Sequence, residues 1–335
     1  MKEALLYEKL DNSKVKCLLC AHYCIINHGK RGKCTVRENI NGILYTLVYG
    51  NLCSTAIDPI EKKPLFHFLP GSQTMSIATV GCNLKCRHCQ NYTISQYPID
   101  NNGNIAGNQY SPIDVVNGAL NTDCKSISYT YTEPTIFMEF ALDCARLARD
   151  NGLKNIFVSN GFMSPQGAEM IIPYLDANNI DLKGDNEFYK KICKARLKPV
   201  QDTIRLMKSS GVWVEVTTLI IPELNDSEKT LREIAEFIHS VDPGVPWHVS
   251  SFRPTYKLTD RPATSIESLQ KAYKIGVDTG LKYVYVGNMP SLGGENTICP
   301  KCKTTLIKRH GFNVISNIIK DKKCPKCGDF IEIIS

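Results

Sequence analysis

The stretch Ile77-Ala78-Thr79-Val80-Gly81-Cys82-Asn83-Leu84-Lys85-Cys86-Arg87-His88-Cys89-Gln90-Asn91 decides how the chain is read. Its β-rich lead, Thr74 to Val80, predicts a strand, and Gly81 marks where that strand gives way to a loop. The loop carries Cys82, Cys86 and Cys89 in C-x3-C-x2-C spacing, which can turn three thiolates toward one centre. A four-iron cubane held by three thiolates keeps one iron without a protein ligand, free to be chelated by the amino and carboxylate groups of a small molecule. An open coordination position separates a catalytic metal centre from a structural one. A zinc knuckle with a distant fourth ligand, or three plain buried cysteines, is the competing reading; the preceding strand and Gly81 favour the cluster.

Downstream, short β-rich runs alternate with helical spacing. Ser126 to Thr130, Asn155 to Ser159, Ile180 to Leu182, Val212 to Leu219, His248 to Ser251 and Lys282 to Val286 read as strands. Between them, Phe137, Phe140, Ala141, Cys144, Leu147 and Ala148, and again Leu231, Ile234, Ala235 and Ile238, fall on single helix faces. Helix starts are marked by Ser111 before Pro112, Ser164 before Pro165, and Thr264 three residues ahead of Glu267. Strand and helix repeated six or seven times imply parallel crossovers, hence a β/α barrel or an open doubly wound sheet. Functional residues are then expected at the C-terminal ends of strands.

The chain has fifteen cysteines, 43% hydrophobic residues and a net charge of +7. Met1 to Lys16 interleaves charges with its apolar residues, offering no export-signal core, and no apolar run approaches the roughly 20 residues of a membrane span. A cytoplasmic protein is expected, in which clustered cysteines argue for metal ligation over disulfides. Lysines and arginines are spread along the chain rather than massed, which argues against nucleic acid as a partner. Cys299-Pro-Lys-Cys302 and Cys324-Pro-Lys-Cys327 form two knuckles across a β-rich stretch, the pattern of a zinc ribbon, with a further iron–sulfur cluster as the alternative. Cys17, Cys20, Cys24 and Cys34 fit either zinc or a second cluster, and His22 and His28 lie near enough to replace a ligand. Cys53, Cys124, Cys144 and Cys193 read as isolated small hydrophobes.

The Gly81-Cys-Asn-Leu-Lys-Cys-x-x-Cys-Gln-Asn91 motif resembles the radical S-adenosylmethionine (SAM) superfamily, specifically its pyruvate formate-lyase-activating branch. His88 departs from the aromatic residue usual at that position. Asp58-Pro-Ile-Glu-Lys-Lys-Pro64-Leu-Phe-His67-Phe-Leu-Pro70-Gly71, Thr130-Tyr-Thr-Glu-Pro134, Pro246-Trp-His248, Tyr283-Val-Tyr-Val-Gly-Asn288 and both outer cysteine sets extend the likeness to the AmmeMemoRadiSam enzymes. The resemblance implies a partial (β/α)6-type barrel over residues 71–290, a Cys-rich N-terminal extension over 1–70 and a zinc-ribbon module over 291–335. It further implies a [4Fe-4S] cluster that reductively cleaves SAM for hydrogen abstraction, and an electron donor such as flavodoxin or ferredoxin. Memo-like and AMMECR-like partners belong to the same expectation.

For SAM binding the resemblance points to Glu133, with Thr132 beside it, to Asn160, and to Asp181 and Lys183; Ile220 and Ile221 would flank the adenine. His248 is a candidate polar contact to substrate. The alternatives are a radical SAM enzyme acting on a small molecule, one breaking a different carbon–sulfur bond of SAM, and a zinc-ribbon protein that binds nucleic acid or protein and whose barrel is catalytically idle.

Overall fold

The computed structural model describes residues 1–288 and 293–335. Eight strands form its main sheet: β1 (Ser54–Pro59), β2 (Gln73–Ala78), β3 (Ser126–Tyr129), β4 (Lys154–Ser159), β5 (Ala177–Asp181), β6 (Trp213–Ile220), β7 (Trp247–Ser251) and β8 (Val284–Gly287). Their spatial order follows chain order from β1 to β8. Strands β2 to β8 pair in parallel, and β1 is antiparallel to β2. Between consecutive parallel strands lie α1 (Pro112–Asn121), α2 (Met138–Asp150), α3 (Pro165–Ile171), α4 (Leu197–Ser209), α5 (Glu228–Val241) and α6 (Ile266–Asp278). Among the described residues β1 and β8 do not pair, so the barrel is open. This arrangement delivers the C-terminal ends of seven parallel strands to one side.

Periodicity explains the packing. On α2, Phe140, Ala141, Cys144, Ala145 and Ala148 are buried, and on α5 so are Leu231, Ile234, Ala235 and Ile238. Each large apolar side chain removed from water in this way contributes roughly 1.5–3 kcal/mol. Ser111 caps α1 in a reciprocal capping box with Asp114, and the Ser164 hydroxyl accepts from the Gly167 N–H at the start of α3. The third expected cap moves by one residue: Ser265, not Thr264, caps α6. The Thr264 hydroxyl instead donates to the Ile220 carbonyl at 2.6 Å and accepts from the Phe252 N–H at 2.7 Å, which draws it into the core.

The N-terminal residues form two small antiparallel sheets, pinned to α2 by a buried ion pair of Arg37 and Glu139 at 2.5 Å. Strand β1 then joins the main sheet, which therefore continues across residue 70. At the other end, β9 (Thr297–Ile298), β10 (Thr305–His310) and β11 (Asn313–Asn317) make a separate antiparallel sheet. Arg309 on β10 docks it by donating to the Phe66 carbonyl at 2.7 Å and to Glu61 Oε1 at 3.4 Å. The expected junction at 290/291 lies outside the described residues.

Candidate active site

The cysteine loop leaves β2 at Gly81, whose φ of +100° is left-handed and whose absent Cβ would sit 2.6 Å from Val36 Cγ1. Only glycine fits there without strain. The loop is then held by backbone: Lys85 N–H donates to the Cys193 carbonyl at 3.0 Å and Arg87 N–H to the Ile192 carbonyl at 3.2 Å. Cys82 Sγ accepts from the Leu84 N–H at 3.4 Å, and Cys89 Sγ lies 3.1 Å from Ser95 Oγ. Burial pushes the thiols of Cys82 and Cys89 above their usual range. For Cys86 a hydrogen bond with Cys193 comes first and burial second, in the same direction. Thiols kept neutral in this way ionise when a metal takes the place of the proton. The three sulfurs do not close to within 4.8 Å of one another, as ligands of a single ion would. A multi-iron core, which takes thiolates at separate corners, matches that spread.

Around this loop the strand ends supply polar groups. Glu133 follows β3 and is 2% exposed. Its Oε1 accepts from Thr135 N–H at 3.1 Å and Ser159 Oγ at 2.8 Å, and its Oε2 from Asn160 N–H at 2.7 Å. Burial pushes the Glu133 carboxyl up while these bonds oppose the rise. Asn160, at the end of β4, turns its Nδ2 to Asn83 Oδ1 at 2.8 Å and to Cys82 Sγ at 3.7 Å. Thr132 spends its hydroxyl on the Thr79 carbonyl at 2.8 Å, so it braces β2 against β3. After β5, Lys183 Nζ meets Asp181 Oδ2 at 2.7 Å. Burial opposes the lysine's charge, but Asp181 and then Cys86 outweigh it and hold the ammonium charged. Ile220 and Ile221 are fully buried.

Two histidines near these strands are buried. His248 is the second residue of β7, away from the strand's C-terminal end, with Nε2 2.6 Å from Glu215 Oε2 and its ring against Phe66 and Tyr285. A buried carboxylate needs a partner, and this one draws His248 inward rather than to the barrel mouth. His88 is 4% exposed and packs on Phe188 at 5.6 Å between ring centroids. Burial, then Lys183, lowers its imidazole to about 3, so the ring is neutral. Its Nδ1 has no hydrogen-bond partner among the described residues.

The family model of the radical SAM superfamily matches residues 76–238, from the middle of β2 into α5. Those residues form a radical SAM domain. An uncharacterised protein of Methanocaldococcus jannaschii is 49% identical over the full length of both chains. The pyruvate formate-lyase-activating enzyme of Clostridium pasteurianum is 22% identical across 64% of this chain and 91% of its own. The crystal structure of Streptococcus suis SuiB superposes with a TM-score of 0.50 at 12% identity, over 63% of this chain and 48% of that one, a likeness of fold.

For a radical SAM protein, iron–sulfur chemistry with SAM is the family's common property, and the residues above fit it. Three thiols, Cys86 buried and Cys82 and Cys89 half-buried, stand on one loop with the Lys183 ammonium beside Cys86 to offset negative charge. Sequence reading missed two features of the surroundings. Cys193 lies with Cys86 and His88 within 4.8 Å of one another; over a hundred residues separate it from the loop, so no spacing signals it. Tyr131, with a left-handed φ of +62°, donates its hydroxyl to Asp58 on β1, while its carbonyl accepts from Asn91 Nδ2 at 2.9 Å. The edge strand thereby steadies the far end of the cysteine loop.

The C-terminal cysteines converge tightly. Cys299, Cys302, Cys324 and Cys327 all lie within 4.8 Å of one another, with two thiol pairs at 3.6 Å. His22 and His28 are engaged elsewhere: His22 Nε2 with the Asn83 carbonyl at 2.8 Å, and His28 Nδ1 with the Asn41 N–H at 3.0 Å.

Proposed function

We propose that this chain is a radical SAM oxidoreductase of the activating-enzyme type, holding a [4Fe-4S] cluster on Cys82, Cys86 and Cys89 and binding SAM at the adjoining strand ends. The observation that carries this reading is the meeting, on one rim of the barrel, of the three-thiol loop with Glu133, Asn160 and the Asp181–Lys183 pair. When bound, the cluster supplies the electron that cleaves a carbon–sulfur bond of SAM, giving a radical able to abstract hydrogen from a substrate.

The chain's own residues prepare that chemistry. Lys183, charged and next to Cys86, offsets the thiolates and offers an ammonium to a carboxylate, while Asp181 is placed for hydroxyl groups. Glu133 fixes the ends of β3 and β4, so that Asn160 is held against the loop, and its carboxylate suits an ammonium group. Burial of Cys86 and His88 keeps water away from the centre, which strengthens each of these interactions.

The partition into an extension over 1–70, whose strand β1 completes the barrel sheet, a barrel over 71–290 and a zinc-binding ribbon over 291–335 belongs to this proposal. So do a cytoplasmic location, a flavodoxin- or ferredoxin-like donor, and the AmmeMemoRadiSam likeness with its Memo-like and AMMECR-like partners. Among the described residues no helix is long and apolar enough to cross a membrane.

The test is anaerobic incubation of reduced protein with SAM and a deuterated candidate substrate, with mass analysis of the nucleoside product. Deuterium in 5′-deoxyadenosine is the expected result. SAM cleaved without that nucleoside points to a different carbon–sulfur bond, and label from small molecules but from no protein glycine removes the activating-enzyme part of the proposal.

A further inference from the structure

Two four-cysteine sets in one chain permit a direct comparison. Tetrahedral zinc with thiolates at about 2.3 Å sets sulfur–sulfur edges of about 3.8 Å and leaves no free space at its centre. The C-terminal set has that form, with thiol pairs at 3.6 Å. The N-terminal set does not: no three of Cys17, Cys20, Cys24 and Cys34 come within 4.8 Å of one another. Instead all four line a cavity of about 20 Å³. These thiols therefore ring an open space where the C-terminal set closes on a point, with the open spacing also seen in Cys82, Cys86 and Cys89.

A second observation points into the same space. Arg37 lines the cavity and is 2% exposed, yet its Nε and Nη1 have no hydrogen-bond partner among the described residues. Its third guanidinium nitrogen, Nη2, is taken by Glu139. Burying unpaired N–H groups of a cation is costly, and an anionic centre carrying thiolate and sulfide acceptors removes that cost. His22, also in the lining, has Nε2 against the Asn83 carbonyl and Nδ1 3.4 Å from Lys33 Nζ, so the ligand set is thiol throughout.

We propose that Cys17, Cys20, Cys24 and Cys34 hold a second iron–sulfur cluster, closed by four thiolates, that passes electrons to the centre on the Cys82 loop. The metal assignment stands on the N-terminal residues alone; the relay role rests on the reading of Cys82, Cys86 and Cys89 as ligands of the first cluster. A closed set has no open position for substrate, so the chemistry open to a redox-active iron–sulfur centre there is electron transfer. The two centres are separated by one layer of packed groups. A Cβ on Gly81 would lie 3.2 Å from the Cys34 carbonyl, His22 binds the loop at Asn83, and Thr135 lines the cavity while its N–H bonds Glu133. An external one-electron donor protein reduces the second cluster by one electron, and the cluster returns to its starting state by giving that electron to the first; no atoms are exchanged.

The experiment is anaerobic reconstitution of the full chain carrying Cys82→Ala, Cys86→Ala and Cys89→Ala, followed by iron, sulfide and zinc assays and low-temperature EPR. About four irons and about four sulfides per chain with a signal insensitive to SAM are expected. No retained iron, with about two zincs per chain, overturns the proposal. Should the triple variant not fold, Cys20→Ala/Cys24→Ala in the otherwise intact chain gives the answer: iron falls from about eight to about four while a SAM-sensitive signal persists. Unchanged iron there overturns the proposal. If the triple variant keeps its iron but the wild-type protein shows no SAM-sensitive signal, the metal assignment stands and the relay role is overturned together with the proposed function.

Discussion

The backbone N–H of Asn160 donates to Oε2 of Glu133 at 2.7 Å, tying the ends of two neighbouring strands together beneath the cysteine loop. The Asn160 side chain continues the connection to Cys82 Sγ. One carboxylate thus sets the position of the polar groups that border the proposed cluster.

Replacing that carboxylate separates positioning from cluster assembly. In Glu133→Gln the amide NH2 faces donors that had bonded an oxygen. The cost of a disrupted buried, charged hydrogen bond, about 1.5–3 kcal/mol, corresponds to a roughly tenfold to hundredfold loss of SAM cleavage. Iron content is expected to match wild type, measured on the same preparation as 5′-deoxyadenosine formation.

Lys183→Met removes the ammonium that Asp181 binds at 2.7 Å and that lies beside Cys86. SAM affinity is expected to fall about tenfold, the equivalent of roughly 1.4 kcal/mol. Equilibrium binding to the reconstituted protein measures it. Lys183→Arg is expected to restore part of the loss.

Cys193 tests whether proximity implies ligation. Cys193→Ala is expected to retain the iron of the wild-type protein, whereas Cys86→Ala loses the portion held by the Cys82 loop. Iron assays on the two variants side by side decide it.

Gly81→Ala forces a Cβ to within 2.6 Å of Val36 at a left-handed φ. A destabilisation of about 2 kcal/mol is expected, together with poorer iron incorporation, because the strain falls where the N-terminal extension touches the loop. Denaturant unfolding of wild type and variant checks the first, and reconstitution yields the second.

Asp58 gives the fold an acid-sensitive element. Burial works against its ionisation, but hydrogen bonds from Lys62, Lys63, Tyr131 and Ser76 prevail and hold its carboxyl below the usual range. A carboxyl lowered in the folded state contributes stability that is complete above its unfolded value of 3.8 and is lost as pH falls through the folded one. Asp58→Asn is expected to be less stable at neutral pH and to show a flatter decline below about pH 4, read from thermal unfolding across that range.

What the chain disclosed in advance follows from where its signals are local. Seven parallel strands announce themselves as β-rich runs between amphipathic helices, so the open barrel is legible. Strand β5 begins at Ala177, three residues before the expected Ile180, because Asn178 and Asn179 carry no β-branched signal; Asn179 is instead satisfied by the Pro64 carbonyl and the Thr217 hydroxyl. Edge strand β1 is polar and antiparallel, and it is recognisable only from its pairing with β2. The cysteine loop could be read from spacing, whereas Cys193 and the Asp58–Tyr131 contact depend on folding distant segments together. His248 sits on an expected strand, but the buried Glu215 that captures it gives no sequence signal of direction.

The most direct measurement is low-temperature EPR of the anaerobically reconstituted, reduced protein before and after addition of SAM, in wild type and in Cys86→Ala. A signal component that changes with SAM in the wild type and disappears in the variant is the predicted result. A wild-type spectrum indifferent to SAM, or a SAM-sensitive component that survives in Cys86→Ala, would contradict the assignment of the active site to the Cys82 loop.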